Sequence, residues 1–166
     1  KLPDIVGLFG TPFHIYDEAG IRETGEHMKQ AFAGVRFQEF FAAKALPNPR
    51  ILKIVNDLGF GFDCSSIPEV VMAREAGASP ENIMFTSNNT SKEEFEVALS
   101  AGGCRLNLDD VTLIKKVPKP FPKEIWFRYN PGSRRTGNSI IGNPVEAKYG
   151  ITHEQLHEAY AAAAEH

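Results

Sequence analysis

The chain has 166 residues, of which 42% are hydrophobic and 23% charged, and its formal net charge is −3. That is about one domain of ordinary globular composition, long enough to bury a sizeable core. The charge gives no reason to expect nucleic acid or an anionic membrane as partner, and no apolar run approaches the ~20 residues that cross a bilayer. The opening Lys1-Leu2-Pro3-Asp4 does not read as a signal peptide. Cys64 and Cys104 make neither a metal-ligand cluster nor a disulfide framework, so a reducing cytoplasm is the expectation. His153 and His157 sit in a polar, Ala-rich segment without further ligands and read as a solvated helix face.

In chain order, Pro12 to Tyr16 predicts a short strand that ends at Asp17, the N-cap of a helix over 18–33 closed by Gly34. Phe40-Phe41-Ala42-Ala43-Lys44-Ala45 follows as a strand that runs into the turn-forming Leu46-Pro47-Asn48-Pro49. Period-two alternation sets Gln38, Phe40, Ala42 and Lys44 on one face and Phe37, Phe41 and Ala43 on the other. A helix over 49–58 starts at a proline and stops at Gly59. The pattern then repeats: strand 60–64 and helix 68–76, strand 83–86 and helix 91–101, strand 105–108 and helix 110–117. A Pro- and Lys-rich connector over 119–123 leads to strand 124–129, a long polar loop over 130–149 and a last helix over 153–165.

Strands that alternate with helices imply successive βαβ units and a parallel sheet. A doubly wound nucleotide-binding sheet would carry a Gly-rich fingerprint directly after its first strand. Nothing of that kind follows Lys44, and Gly59-Phe60-Gly61 precedes a strand instead. In a β/α barrel, chemistry gathers at the carboxyl ends of the strands. Lys44, Asp63, Ser65, Ser66, Asn88, Asn107, Asp109, Arg128 and Asn130 all fall there. The predicted fold is therefore α/β, an incomplete (β/α)8 barrel over residues 1–166 as one domain, with about five of the eight strands that closure needs.

Lys44 is the centre of this pattern. An amine that emerges from an apolar run at a strand end is either a snorkelling lysine or a desolvated one suited to Schiff-base chemistry. The motifs around it resemble those of the fold-type III pyridoxal-phosphate enzymes, and of the diaminopimelate decarboxylase family in particular. Phe41-Ala42-Ala43-Lys44-Ala45 resembles the cofactor-lysine motif. Gly61-Phe62-Asp63-Cys64-Ser65-Ser66 with Glu69, and Ile83 to Asn89, follow at matching spacing. Phe127-Arg128-Tyr129-Asn130-Pro131-Gly132 resembles the family's Arg-Val-Asn-Pro-Gly segment, and Ala147-Lys148-Tyr149-Gly150-Ile151 its Ser-Lys-Phe-Gly-Ile segment. The resemblance runs from about Thr11 to Ile151.

The resemblance implies a pyridoxal 5'-phosphate cofactor joined to Lys44, with Asp63 under its ring near the lysine and Arg128 on its phenolic-oxygen side. It places Glu69 close enough to influence the linkage and Lys148 near the active site of a dimer partner. It further implies decarboxylation of meso-diaminopimelate to L-lysine by a homodimer. The alternatives are another basic amino acid or carboxylated polyamine as substrate, a racemase-like reaction, or a non-catalytic association module.

The same residues have plainer readings. Ser66 and Glu69 form a capping-box pattern, and Asp63 could simply start a loop. Lys148 is exposed-loop material, Asn88 and Asn89 are turn residues, and Cys64 is a small buried hydrophobe. Arg128, flanked by Trp126, Phe127 and Tyr129, needs an acidic partner, for which Asp63 is the candidate. The family's His-x-Gly-Ser segment, Gly-rich phosphate loop, Glu-Pro-Gly-Arg segment and Cys-Glu-Ser motif have no counterpart here. The chain is thus expected to correspond to the amino-terminal part of such an enzyme, without the β-sandwich domain, and to be inactive alone. Open sheet edges and inner-face Phe40 and Trp126 would favour association with another copy, or with an added strand from Thr11 to Tyr16.

Overall fold

Five short apolar runs, each followed by turn-forming or polar residues, become the strands β1 (Phe40–Ala42), β2 (Gly61–Cys64), β3 (Ile83–Ser87), β4 (Arg105–Leu108) and β5 (Ile125–Phe127). The computed structural model describes residues 1–137, 142–146 and 149–166, with Ser87 described by its backbone alone. The helices are α1 (Leu2–Phe9), α2 (Glu18–Ala31), α3 (Pro49–Asp57), α4 (Ile67–Glu75), α5 (Lys92–Leu99) and α6 (Leu156–Glu165). Their starts follow the capping chemistry of the sequence. Asp17 accepts from the Gly20 amide at 3.1 Å, and Asn48 from those of Arg50 and Ile51 at 3.0 and 3.4 Å. Ser91 and Glu94 close a reciprocal capping box on α5.

The strands lie side by side in sequence order, all parallel. Parallel crossovers are right-handed, so an unbroken sequential order places every connecting helix on the same face. A doubly wound sheet reverses direction at its switch point and covers both faces, so the barrel reading holds. Alternation along the strands agrees. Phe62, Cys64, Ile83, Phe85, Leu106 and Leu108 are at most 1% exposed and join Val70, Ala73, Phe95 and Ala98 of the helices in one core. Phe40, Ala42, Asp63, Met84, Asn107 and Trp126 point to the other face and are only half-buried. On that face the Arg105 guanidinium lies between two rings, 5.7 Å from Phe40 and 5.3 Å from Trp126.

Elsewhere the backbone departs from the sequence reading. Residues 12–16 form no strand, and Ile15 and Tyr16 are exposed beside α2. An apolar run becomes a strand only where a neighbour offers backbone partners, and no described strand pairs with this one. The expected added strand is therefore absent. The segment 2–9, for which no element was predicted, is helical, but none of its residues is buried. Residues 111–116 wind as a 3-10 helix rather than an α-helix. The β-branched Val111 and Thr112 at its start and Pro118 just past its end leave room for little more than tight i→i+3 turns. The last helix begins at Leu156, after a turn over 153–155 in which Gln155 caps the Thr152 amide at 2.9 Å.

The edges of the sheet differ. Among the described residues β1 pairs only with β2. Beyond β5, Ile151 adds a single parallel bridge to Tyr129, bonding to Arg128 and Asn130 at 2.8 Å each. Gly150 makes this possible. Its φ is +90°, and a Cβ there would stand 2.9 Å from the Arg128 carbonyl oxygen.

Candidate active site

The carboxyl ends of the five strands carry the polar residues. Strand β1 ends at Ala42, three residues earlier than the sequence suggests, and Lys44 sits in a 3-10 turn over Ala43–Ala45. Ala43 is wholly buried and anchors that turn, while the Asn48 cap of α3 fixes its far side. Lys44 itself is exposed. Among the described residues it makes no hydrogen bond or ion pair.

Asp63 is in register with Ala42 and Met84, on the same face. The Thr86 hydroxyl donates to Asp63 Oδ1. Thr86 is 2% exposed, so its hydroxyl has no competing water. Asn107 Nδ2 approaches the same hydroxyl oxygen at 3.5 Å. Three neighbouring strands thus contribute one polar row, and Asp63 is held in it rather than opening a loop. The signal for Thr86 and Asn107 was their shared strand-end position.

Arg128 does not pair with Asp63. Its Nε lies 3.1 Å from Asp109 Oδ1. The register explains the correction: Leu108 lies opposite Phe127, and the Arg128 amide bonds the Leu108 carbonyl at 2.8 Å, so Asp109 faces Arg128 directly. Asp63 is two strands further away. The Tyr149 ring lies 5.4 Å from the guanidinium. Asp109 is 6% exposed, and burial pushes its carboxyl above the ordinary range, with Arg128 drawing it back.

Glu69 does not close the expected capping box. Its carboxylate accepts from the Ser65 amide at 3.0 Å and the Ser66 hydroxyl at 2.8 Å, reaching one residue further back. It therefore ties down the loop that follows β2, next to the Asp63 row. Cys64 is wholly buried in the core, and burial, then Glu69 and Asp63, push its thiol far above the usual range. Lys148 lies outside the described residues. Among those residues no group of His, Cys, Asp or Glu could hold a metal, and no helix is long and apolar enough to cross a membrane. A cavity of about 800 Å³, lined by Gly103, Arg105, Pro118 and Lys123, opens at the opposite ends of β4 and β5, away from this chemistry.

The donor set suits pyridoxal phosphate. Its aldehyde takes a primary amine, which Lys44 presents in the open, and its anionic ring oxygen takes a cation such as Arg128. The buried Asp109 oxygens have no hydrogen-bond partner among the described residues, so the mouth is not internally satisfied.

A one-layer β/α sheet with a lysine, a held carboxylate and an ion-paired arginine at its strand ends defines the class: a barrel domain built for chemistry at the carboxyl face. Residues 18–166 match the family described as pyridoxal-dependent decarboxylase, pyridoxal binding domain. The chain belongs to that family, and its cofactor is pyridoxal phosphate. It is 40% identical over 162 residues to protein TabA of Pseudomonas amygdali pv. tabaci, covering 98% of this chain and 38% of that protein. It is 33% identical over 166 residues to a diaminopimelate decarboxylase of Methanothermobacter thermautotrophicus, covering 96% of this chain and 38% of that one. A crystal structure of diaminopimelate decarboxylase from Helicobacter pylori complexed with L-lysine superposes with a TM-score of 0.84 at 26% identity, over 99% of this chain and 43% of that one. The chain thus spans about two fifths of the length of the relatives it matches.

Proposed function

We propose that this chain supplies the cofactor lysine and one wall of the active site of an enzyme that decarboxylates meso-diaminopimelate to L-lysine. The observation that carries the reading is Lys44, exposed at the carboxyl end of β1 inside a pyridoxal-binding domain, beside the Asp63–Thr86–Asn107 row. Relatives named diaminopimelate decarboxylase, and one of their solved structures holding L-lysine, support the substrate.

Pyridoxal phosphate supplies an electron sink for the pair left behind when the α-carboxylate departs as carbon dioxide. Lys44 would hold the cofactor through its ε-amino nitrogen and release it to the substrate amine. Asp63, oriented by the Thr86 hydroxyl, would place its carboxylate beside that nitrogen. Arg128 would offer its guanidinium to the anionic ring oxygen. Glu69 would hold the Ser65–Ser66 loop against the site, and Lys148 would serve near a dimer partner's site. The remaining barrel strands, the phosphate grip and a closing domain would come from further chain in a homodimeric enzyme, and this half-barrel alone would not turn over.

The test is an absorption spectrum of the complete enzyme with pyridoxal phosphate, then borohydride reduction and peptide mapping. A band at the edge of the visible and a label on Lys44 are expected, and K44A should abolish both. A label on another lysine would refute the assignment. Carbon dioxide release from several diamino acids decides the substrate.

A further inference from the structure

The geometry points to Asp109 as the positioning residue that aims Arg128 into the mouth of the site. This rests on the proposed role of Arg128 and adds a second residue to it. Asp109 is the first residue past β4 and faces Arg128 across the ladder. Its carboxylate lies 3.1 Å from Arg128 Nε. It is 6% exposed, and neither carboxylate oxygen has a hydrogen-bond partner among the described residues.

The arrangement fixes one end of the guanidinium and leaves the other free to bind. Nε is engaged by Asp109, and the Tyr149 ring flanks the plane at 5.4 Å. The terminal nitrogens make no hydrogen bond to any described residue, and the Arg128 side chain is 35% exposed. An arginine held this way presents its remaining N–H groups as a fixed fork to an anion. A carboxylate kept for stability alone would normally collect several donors, because a buried charge that is poorly solvated is costly to the fold. Among the described residues Asp109 has one cation, Arg128, and no hydrogen bond. Burial raises its carboxyl, so its ionised form opposes folding rather than favouring it. What it gains for the protein is the direction of Arg128.

The two roles separate experimentally. Pyridoxal phosphate is titrated into the complete enzyme as wild type, D109N, D109E, R128Q and D109N/R128Q, with dissociation constants read from absorbance and melting temperatures recorded for each. A loss of about 10-fold in cofactor affinity is expected for D109N, the scale on which supporting residues act on ligands. D109E should recover most of it. The double variant should bind no more weakly than R128Q, because Asp109 acts through Arg128. D109N should melt no lower than wild type. Wild-type affinity in D109N, additive losses in the double variant, or a loss of affinity matched by a lower melting temperature would each overturn the inference. The borohydride label separates the underlying reading. A label absent from Lys44 in wild type refutes that reading and this inference with it. A label present with additive losses refutes the inference alone.

Discussion

Replacing Gly150 by alanine should detach the chain from the end of β5 and destabilise the protein by about 2–4 kcal/mol. The added Cβ would meet backbone on two sides, 2.9 Å from the Arg128 oxygen and 3.1 Å from the Asn130 nitrogen, where no rotamer change can relieve it. A non-glycine residue held at φ +90° costs about 1–3 kcal/mol by itself. If the segment backs away, it gives up the two 2.8 Å bonds between Ile151 and β5, at about 0.5–1.5 kcal/mol each. Ile151, 1% exposed, would also move out of the core. Urea unfolding followed by the emission of Trp126, the single tryptophan, measures the change. Stability within about 0.5 kcal/mol of wild type, the usual spread for a surface substitution, would refute the claim that this bridge is locked to β5.

R74A should cost about 2–3 kcal/mol in the same assay, because Arg74 donates to the Val97, Ala98 and Ser100 carbonyls at the end of α5, and hydrogen bonds from a charged donor are the strong ones. T86V should cost about 1–3 kcal/mol by leaving Asp63 without its donor, also read by urea unfolding. Cys64 and Cys104 should resist a thiol reagent at pH 8 in the native state and react fully in denaturant, since burial pushes both thiols up, Cys104 to about 11. Asp109 has a folded pKa raised above its unfolded value, so the folded state binds more protons between the two. Wild type should therefore lose stability relative to D109N as pH rises from about 4, a divergence that melting curves across pH will show.

The parallel sheet was legible because each strand is bracketed by turn residues and each helix carries its own cap: Asp17, Asn48 and Ser91 all do what their chemistry predicts. Residues 12–16 were not legible, since an apolar run says nothing about whether a neighbour exists to pair with it. At the site, the sequence located Lys44, Asp63 and Arg128 at strand ends but mispaired the arginine. Asp63 and Arg128 both stand at strand ends, but the register puts β3 and β4 between them. A partner for a strand-end arginine is found by counting residues past the end of the adjacent strand, which yields Asp109. Glu69 shows the complementary failure. Its spacing from Ser66 fits a capping box, but only coordinates reveal that its carboxylate reaches past Ser66 to the Ser65 amide.

The polar row and the ion pair impose different demands on the rest of the site. Asp63 is held by a hydroxyl on the neighbouring strand, and that bond exists whether or not the other half of a barrel is present. Its orientation is therefore a property of this sheet alone. Lys44 is exposed, so neither β1 nor its turn covers the amine, and any group that covers it must close over the mouth from elsewhere. Arg105 makes the same point on the inner face. Its guanidinium rests on Phe40 and Trp126, and its buried Nε has no partner among the described residues. Charge is thus laid down on the inner face at two levels, at Arg105 and at the Asp109–Arg128 pair, while the wholly buried Phe62, Phe85 and Phe95 pack on the helix side. Most of the apolar burial lies on one face of the sheet and the charged groups on the other, so a substitution at Asp109 is expected to act on cofactor binding rather than on the melting temperature, whereas a large-to-small substitution in the core behind the strands should lower it.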